Sequence, residues 1–166
     1  MYLNNLTKGI DKASEITGKI SSWFVVLMVL ITCTVVVMRY VLGLGSVLLQ
    51  DVVLYLHASL FLLGASFAFK RDSHVRVDIL YRDLSIKKKS LINLLGNLIL
   101  LQPLCMVIFL YSWGFVEFSW RIMETSPEPE GLPFVYIQKT LLLVMSFLLW
   151  MQSISEILKA ILLLRK

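Results

Sequence analysis

The stretch Ile20–Met38, ISSWFVVLMVLITCTVVVM, decides the fold of this chain, because it runs the length of a membrane crossing without a charged side chain. About 20 apolar residues in an α-helix span the ~30 Å hydrocarbon core of a bilayer. Three further apolar runs follow, at residues 47–69, 91–115 and 134–154. The sequence therefore predicts an all-α integral membrane protein with four transmembrane helices.

The composition agrees with this fold class. The 166 residues are 58% hydrophobic and 16% charged, with a mean hydropathy of +0.80. Soluble domains contain about 45–50% apolar and about 25% charged residues, so a soluble globular protein and a disordered chain are both excluded. The four runs take up over half of the chain. We interpret it as a single membrane domain over residues 1–166, without a catalytic module or enzymatic activity of its own.

The distribution of positive charge predicts the orientation in the membrane. Of the 16 Lys and Arg residues, all but Arg39, Arg121 and Lys139 lie before the first run, between the second and third, or after the fourth. Lys and Arg are enriched in cytoplasmic loops, so both termini are expected in the cytoplasm. The net charge of +5 is then an orientation signal, and nucleic acid is not expected as a partner.

Two segments outside the runs have the apolar spacing of amphipathic helices. We expect one over about residues 3–19, lying in the cytoplasmic interface, with a straight extension of the first span as the alternative. A second interfacial helix is expected over about residues 74–85. The basic run Lys87–Lys89 after it is either an anionic-lipid site or, as we prefer, a topological anchor. The side chains expected at lipid headgroups are Lys70, Arg71, Lys87, Lys88, Lys89, Trp23, Trp113 and Trp120.

Ionisable residues in or beside the runs are candidates for structural or partner contacts, because such groups are costly in a bilayer. Arg39 and Asp51 flank the short outer turn, and we predict that they pair across it. Glu117 and Arg121 have the four-residue spacing of an ion pair along one helix face. Lys139, near the start of the fourth run, is expected to extend outward to the headgroups.

His57 is the most deeply placed of these candidates. A membrane histidine can ligate haem, relay protons or form a hydrogen bond to another helix. The other histidine, His74, lies in the cytoplasmic loop, which leaves haem without a second axial histidine, so we favour the hydrogen bond. Asn93 and Asn97, four residues apart, form a polar stripe able to bond a neighbouring helix. The sequence has no catalytic, metal-binding or phosphate-loop motif.

Several residues of the second run and the loop after it carry a family resemblance. They are Arg39-Tyr40, Gln50-Asp51, LGASFAFKR at Leu63–Arg71 and HVRVD at His74–Asp78. This combination resembles the DctQ-like small membrane subunit of tripartite ATP-independent periplasmic (TRAP) transporters. That family usually opens its second span with two acidic residues, where this chain has Gln50 and Asp51. His74 and Asp78 thereby join the candidates for structural or partner contacts.

The resemblance implies a small scaffold subunit in the bacterial inner membrane, bracing a large multi-span subunit. A periplasmic substrate-binding protein would deliver an organic acid to the large subunit, which would also bind sodium, while this chain would hold no cofactor. In such a unit we expect His57, Asn93 and Asn97 to serve helix packing, within the chain or against the large subunit. A haem-bearing anchor of a redox complex and a small homodimeric exporter are the alternatives.

Overall fold

A computed structural model of the chain describes residues 2–71 and 84–164, with side chains from residue 5 onward. The helices are α1 (Tyr2–Tyr40), α2 (Val47–Lys70), α3 (Ile86–Gly96), a π-helical segment (Asn97–Leu101), α4 (Gln102–Arg121) and α5 (Val135–Leu164). Because α3, the π-helical segment and α4 are continuous, residues 2–71 and 84–164 contain four helices long and apolar enough to cross a membrane. The predicted fold class is confirmed. Nearly all of the second interfacial helix predicted at residues 74–85, with His74 and Asp78, lies outside the described residues.

The first helix is longer than a membrane crossing requires. α1 continues without interruption from Tyr2 to Tyr40, 39 residues, or about 58 Å at 1.5 Å per residue. The prediction of a separate helix over residues 3–19 is therefore wrong, and this segment is the extension of the first span. The physical reason is that its polar side chains bond to α5, which holds the segment in line with the rest of α1.

Helix α5 organises the molecule, since it packs against α1, α2, α3 and α4. α1 and α2 form an antiparallel hairpin on one side of α5, whereas within the described ranges α3 and α4 pack extensively only on α5. The helices therefore form an open arrangement around α5 and not a closed four-helix bundle. We call the end that carries the N-terminus of α1 and the C-terminus of α5 the termini end, and the opposite end the loop end.

The inner face of α1 is lined mostly by small and polar side chains, with Ile10 as the one large apolar residue of its first half. The buried positions on its first half recur at helical spacing and are Thr7, Ile10, Ser14, Gly18 and Ser21. Two apolar residues of the same segment point outward instead, since Leu6 is 53% and Ile16 is 48% exposed. Small residues let membrane helices approach closely, and the side chain of Phe67 on α2 occupies the space beside Gly18.

The third membrane helix, which runs from Ile86 to Arg121, contains Pro103 near its middle. Proline has no N–H and its ring clashes with the carbonyl four residues earlier. The chain accommodates it with the π-helical segment, in which the Gln102 N–H bonds to the Asn97 carbonyl. The helix thus continues from Ile86 to Arg121 in spite of the proline. Between Arg121 and Val135 the chain is irregular. We call this segment, which contains Pro127, Pro129 and Pro133, the outer loop.

Candidate functional site

The polar side chains that the structure brings together form two groups, one at each end of the molecule. At the termini end, the Asp11 carboxylate joins α1 to α5. Its Oδ1 accepts hydrogen bonds from Gln152 Nε2 at 3.0 Å, Ser155 Oγ at 2.9 Å and Lys159 Nζ at 3.0 Å. Lys159 also lies 2.8 Å from the other carboxylate oxygen and 2.7 Å from Glu156. Hydrogen bonds with a charged partner are the stronger kind.

Gln152 is the largest fully buried side chain of this group, with 0% of its surface exposed. Its Oε1 accepts from Ser14 Oγ at 2.6 Å, and its Nε2 donates to Asp11 and to Glu156. A buried amide is tolerated when both of its polar atoms have partners. We name Asp11, Ser14, Gln152, Ser155 and Lys159 the Asp11 cluster.

The end of α2 is attached to the same region of α1. Lys70 Nζ donates to Glu15 Oε2 at 2.8 Å and to the Asp11 carbonyl at 3.0 Å. Lys70, predicted at the lipid headgroups, therefore has a binding partner within the chain. Arg71 lies with its guanidinium 4.5 Å from the centre of the Phe67 ring. The termini ends of α1, α2 and α5 are thus held together by polar contacts.

At the loop end, α2 holds the outer loop through one residue of that loop. Asp51 Oδ2 accepts a hydrogen bond from the Leu132 N–H at 2.9 Å, and the Tyr55 hydroxyl donates to the Leu132 carbonyl at 3.5 Å. The prediction that Asp51 pairs with Arg39 is wrong, because Asp51 is buried against the loop while Arg39 is exposed. The structural role predicted for Asp51 holds with a different partner. We name Asp51, Tyr55 and Leu132 the Asp51 clamp.

A second contact joins the outer loop to α5. Lys139 Nζ donates to Glu124 Oε2 at 2.5 Å and lies 3.9 Å from the centre of the Phe115 ring. Lys139 therefore extends toward the loop end, as predicted, but ends on a carboxylate. This hydrogen bond lowers the pKa of the Glu124 carboxyl below its usual value, so the pair persists at neutral pH and is lost as the pH falls through that lowered value.

Two further predicted contacts involve residues of the third membrane helix. Glu117 and Arg121 pair along α4 at 3.2 Å, which confirms the prediction, with both side chains mostly exposed. Asn97 is buried, and its Oδ1 accepts from Ser153 Oγ of α5 at 3.5 Å, which confirms a helix-to-helix bond for that asparagine. Asn93, one turn earlier, is partly buried.

Of the residues predicted to meet lipid, Lys70 is bonded within the chain, and the others are exposed or half-buried. Trp23, Trp113 and Trp120 are 70%, 54% and 46% exposed. Lys87 and Lys88 are exposed in the first turn of α3, and Lys89 is half-buried. Contact of these side chains with headgroups stays a prediction. Trp120 also donates to Thr140 at 2.8 Å and packs edge-on against Tyr136.

His57 has a different environment from the other candidates. It is exposed on α2 and forms no hydrogen bond, ion pair or ring contact with the part of the chain that the structure describes. The predicted helix-to-helix hydrogen bond of His57 is therefore not made within these residues. Asn97 bonds inside the molecule, whereas His57 faces away from it.

The Asp11 cluster was not anticipated from the sequence, although a signal for it exists. Gln152, Ser155, Glu156 and Lys159 follow an apolar run at spacings of three, one and three, which places them on one helix face. Spacing alone does not reveal that this face meets Asp11, because that contact joins residues at opposite ends of the chain.

Among the described residues, no three His, Cys, Asp or Glu side chains converge as metal ligands. An apolar groove of about 270 Å³ lies between α4 and α5, beside Cys105, Phe109 and Trp150. The Ser146 hydroxyl in its wall donates to the Leu143 carbonyl, and the exposed lining is almost entirely apolar. The polar residues at both ends are instead bonded to one another. Fold and contacts together define a multi-pass helical membrane protein whose polar groups serve to join its helices.

The comparison with protein families shows the family to which the chain belongs. Residues 28–163 match the family model of the DctQ component of tripartite ATP-independent periplasmic transporters. The chain belongs to this family, which is one of transporter components. No curated protein and no solved structure gives a significant match.

Proposed function

We propose that this chain is the small scaffold subunit of a TRAP-type secondary transporter. It braces a large multi-span subunit in the bacterial inner membrane, with both of its own termini in the cytoplasm. That subunit takes up an organic acid together with sodium, and a periplasmic binding protein delivers the acid. Substrate and sodium sites belong to the large subunit, and this chain holds no cofactor.

The observation that supports bracing is the use of polar side chains at both ends of the molecule. The Asp11 cluster and Lys70 hold α1, α2 and α5 together at the termini end, and the Asp51 clamp holds the outer loop at the other. Contacts at both ends resist sliding and splaying of the helices better than apolar packing alone, because hydrogen bonds are directional. A scaffold subunit needs helices that resist such movement while the large subunit changes conformation.

The arrangement of charge supports the orientation. Lys70, Lys87 and Lys159 lie at the termini end, whereas Glu124, Glu128 and Glu130 belong to the outer loop. Basic residues are retained on the cytoplasmic side. The termini end is therefore the cytoplasmic end in this proposal, and the outer loop faces the periplasm.

Purification from native membranes with an affinity tag on this chain tests the proposal. We expect a large multi-span membrane protein to copurify in equal amounts, and the complex to have no haem absorbance. Copurification of a redox enzyme with a haem Soret band would contradict the proposal, as would recovery of this chain without a large membrane protein.

A further inference from the structure

One face of α2 is exposed along the membrane-spanning part of the helix. Gln50, Leu54, His57 and Phe61 follow one another at spacings of four, three and four, which places them on a single helix face. All four are exposed, Leu54 by 60% and Phe61 by 72%. We name these four residues the His57 face.

His57 lies near the middle of the membrane on this face. Helix α2 begins at Val47 and ends at Lys70. At 1.5 Å per residue, His57 lies about 15 Å along the helix from Val47 and about 20 Å from Lys70. The imidazole side chain is too short to reach a headgroup layer from this depth. It is not a lysine or arginine, whose long stems allow the charged end to reach the interface.

The histidine ring needs a hydrogen-bond partner that lipid does not provide. A neutral imidazole carries one donor and one acceptor, and an unsatisfied polar group is costly in the hydrocarbon region, where no water is present. Thr34, an exposed residue of α1, shows the contrast, because its hydroxyl donates to the Leu30 carbonyl of its own helix at 2.9 Å. Within the described residues, His57 has no such bond.

We propose that the His57 face is the surface of this chain that docks on the large membrane subunit. Its occupant is a transmembrane helix of that subunit, with a hydrogen-bonding group opposite His57 and an apolar surface around Phe61. This inference rests on the proposed function, because the partner is a second membrane protein only if the chain works within a transporter complex. Lipid would leave His57 unsatisfied.

Photo-crosslinking within the purified complex locates the docking surface. Benzoylphenylalanine replaces Leu54 or Phe61 on the His57 face, and Val29, 56% exposed on α1, serves as the matched control. We expect crosslinks to the large subunit from positions 54 and 61 and at least fivefold less from position 29. Crosslinks from position 29 alone, or from 54 and 61 to a second copy of this chain or to lipid, overturn the proposal.

The same preparation separates the two proposals. If a large subunit copurifies but crosslinks only from other positions, the docking face is wrong and the scaffold function stands. If no large membrane subunit copurifies, both are overturned.

Substitution of His57 tests the hydrogen bond itself. Side-chain hydrogen bonds between membrane helices imply that His57→Leu weakens association with the large subunit about threefold to twentyfold in liposomes. Folding of the chain is expected to be unaffected, because His57 makes no polar contact with the residues that the structure describes. His57→Asn, which keeps a donor and an acceptor, should recover most of the affinity, and Thr34→Val should leave it unchanged. Equal affinity of the His57→Leu and native chains would refute the bond.

Discussion

At the scale of single residues, the molecule is held together by a few polar side chains placed where two helices or a helix and a loop meet. Asp11 receives three donors from α5, and Asp51 holds the Leu132 N–H. Both carboxylates connect segments that are far apart in sequence. Such contacts limit relative motion. The Asp11 hydrogen bonds must break before α1 and α5 separate, and the Asp51 hydrogen bond must break before the outer loop leaves α2.

Removal of the Asp11 carboxylate should destabilise the chain. In Asp11→Ala the Lys159 ammonium and the buried Gln152 amide lose an acceptor, so the free energy of unfolding is expected to fall by about 2 kcal/mol. Thermal unfolding in detergent measures the effect. Lys12→Ala, at the adjacent exposed position, is the control and should leave the melting temperature unchanged. Equal melting temperatures for the two variants would show that the Asp11 cluster contributes nothing.

Removal of the Asp51 carboxylate should loosen the outer loop without unfolding the helices. A hydrogen bond to a charged acceptor contributes about 1.5–3 kcal/mol, so in Asp51→Ala the Leu132 amide should exchange its hydrogen at least about tenfold faster. Hydrogen-exchange mass spectrometry of the loop measures this rate. Arg39→Ala should leave the exchange rate of the Leu132 amide unchanged. An equal increase in both variants would contradict this account and indicate that Arg39 pairs with Asp51.

At the scale of elements, the sequence predicts which segments are helical but not which faces meet. The length of the four apolar runs is enough to assign them as membrane helices. The Glu117–Arg121 ion pair could also be predicted, because residue spacing within one helix fixes that contact. The inner face of α1 could not be predicted from the sequence. In a membrane, apolar side chains favour lipid as much as a neighbouring helix, so they do not mark the face that packs. The helix therefore turns Leu6 and Ile16 outward and packs through Ser14 and Gly18.

The close approach of α1 and α2 at Gly18 gives a test at this scale. A methyl group at Gly18 would collide with the Phe67 side chain, so Gly18→Ala should lower the free energy of unfolding by about 1–3 kcal/mol. Gly9→Ala is the matched control, because nothing lies within 4 Å of the added carbon and alanine favours the helix. Chemical denaturation in micelles compares the two. An unchanged or raised stability of Gly18→Ala would contradict the packing described for α1.

At the scale of the whole molecule, the open arrangement of helices around α5 suits a subunit that works inside a larger assembly. Charge asymmetry and the four spans were available from the sequence, as was the family resemblance in the second run. The Asp11 cluster and the Asp51 clamp were not, because they depend on how distant segments lie in three dimensions. In the function that we propose, the Asp11 cluster and the Asp51 clamp are the internal connections of the scaffold, and the His57 face is its surface for the partner.

Orientation is a property of the whole chain and has its own prediction. Reporter fusions in the outer loop at Gly131 and at the C-terminal Lys166 should report periplasmic and cytoplasmic locations, respectively, because the basic residues concentrate at the termini end. A reporter at Gly131 that is active in the cytoplasm would contradict the predicted orientation.

Sodium-driven uptake by reconstituted proteins tests the scaffold function most directly. Proteoliposomes that contain the large subunit, with the binding protein and a labelled organic acid outside, are compared with and without this chain. We expect uptake only when all three proteins and an inward sodium gradient are present, and no uptake by this chain alone. Full-rate uptake without this chain, or transport by this chain alone, would contradict the account.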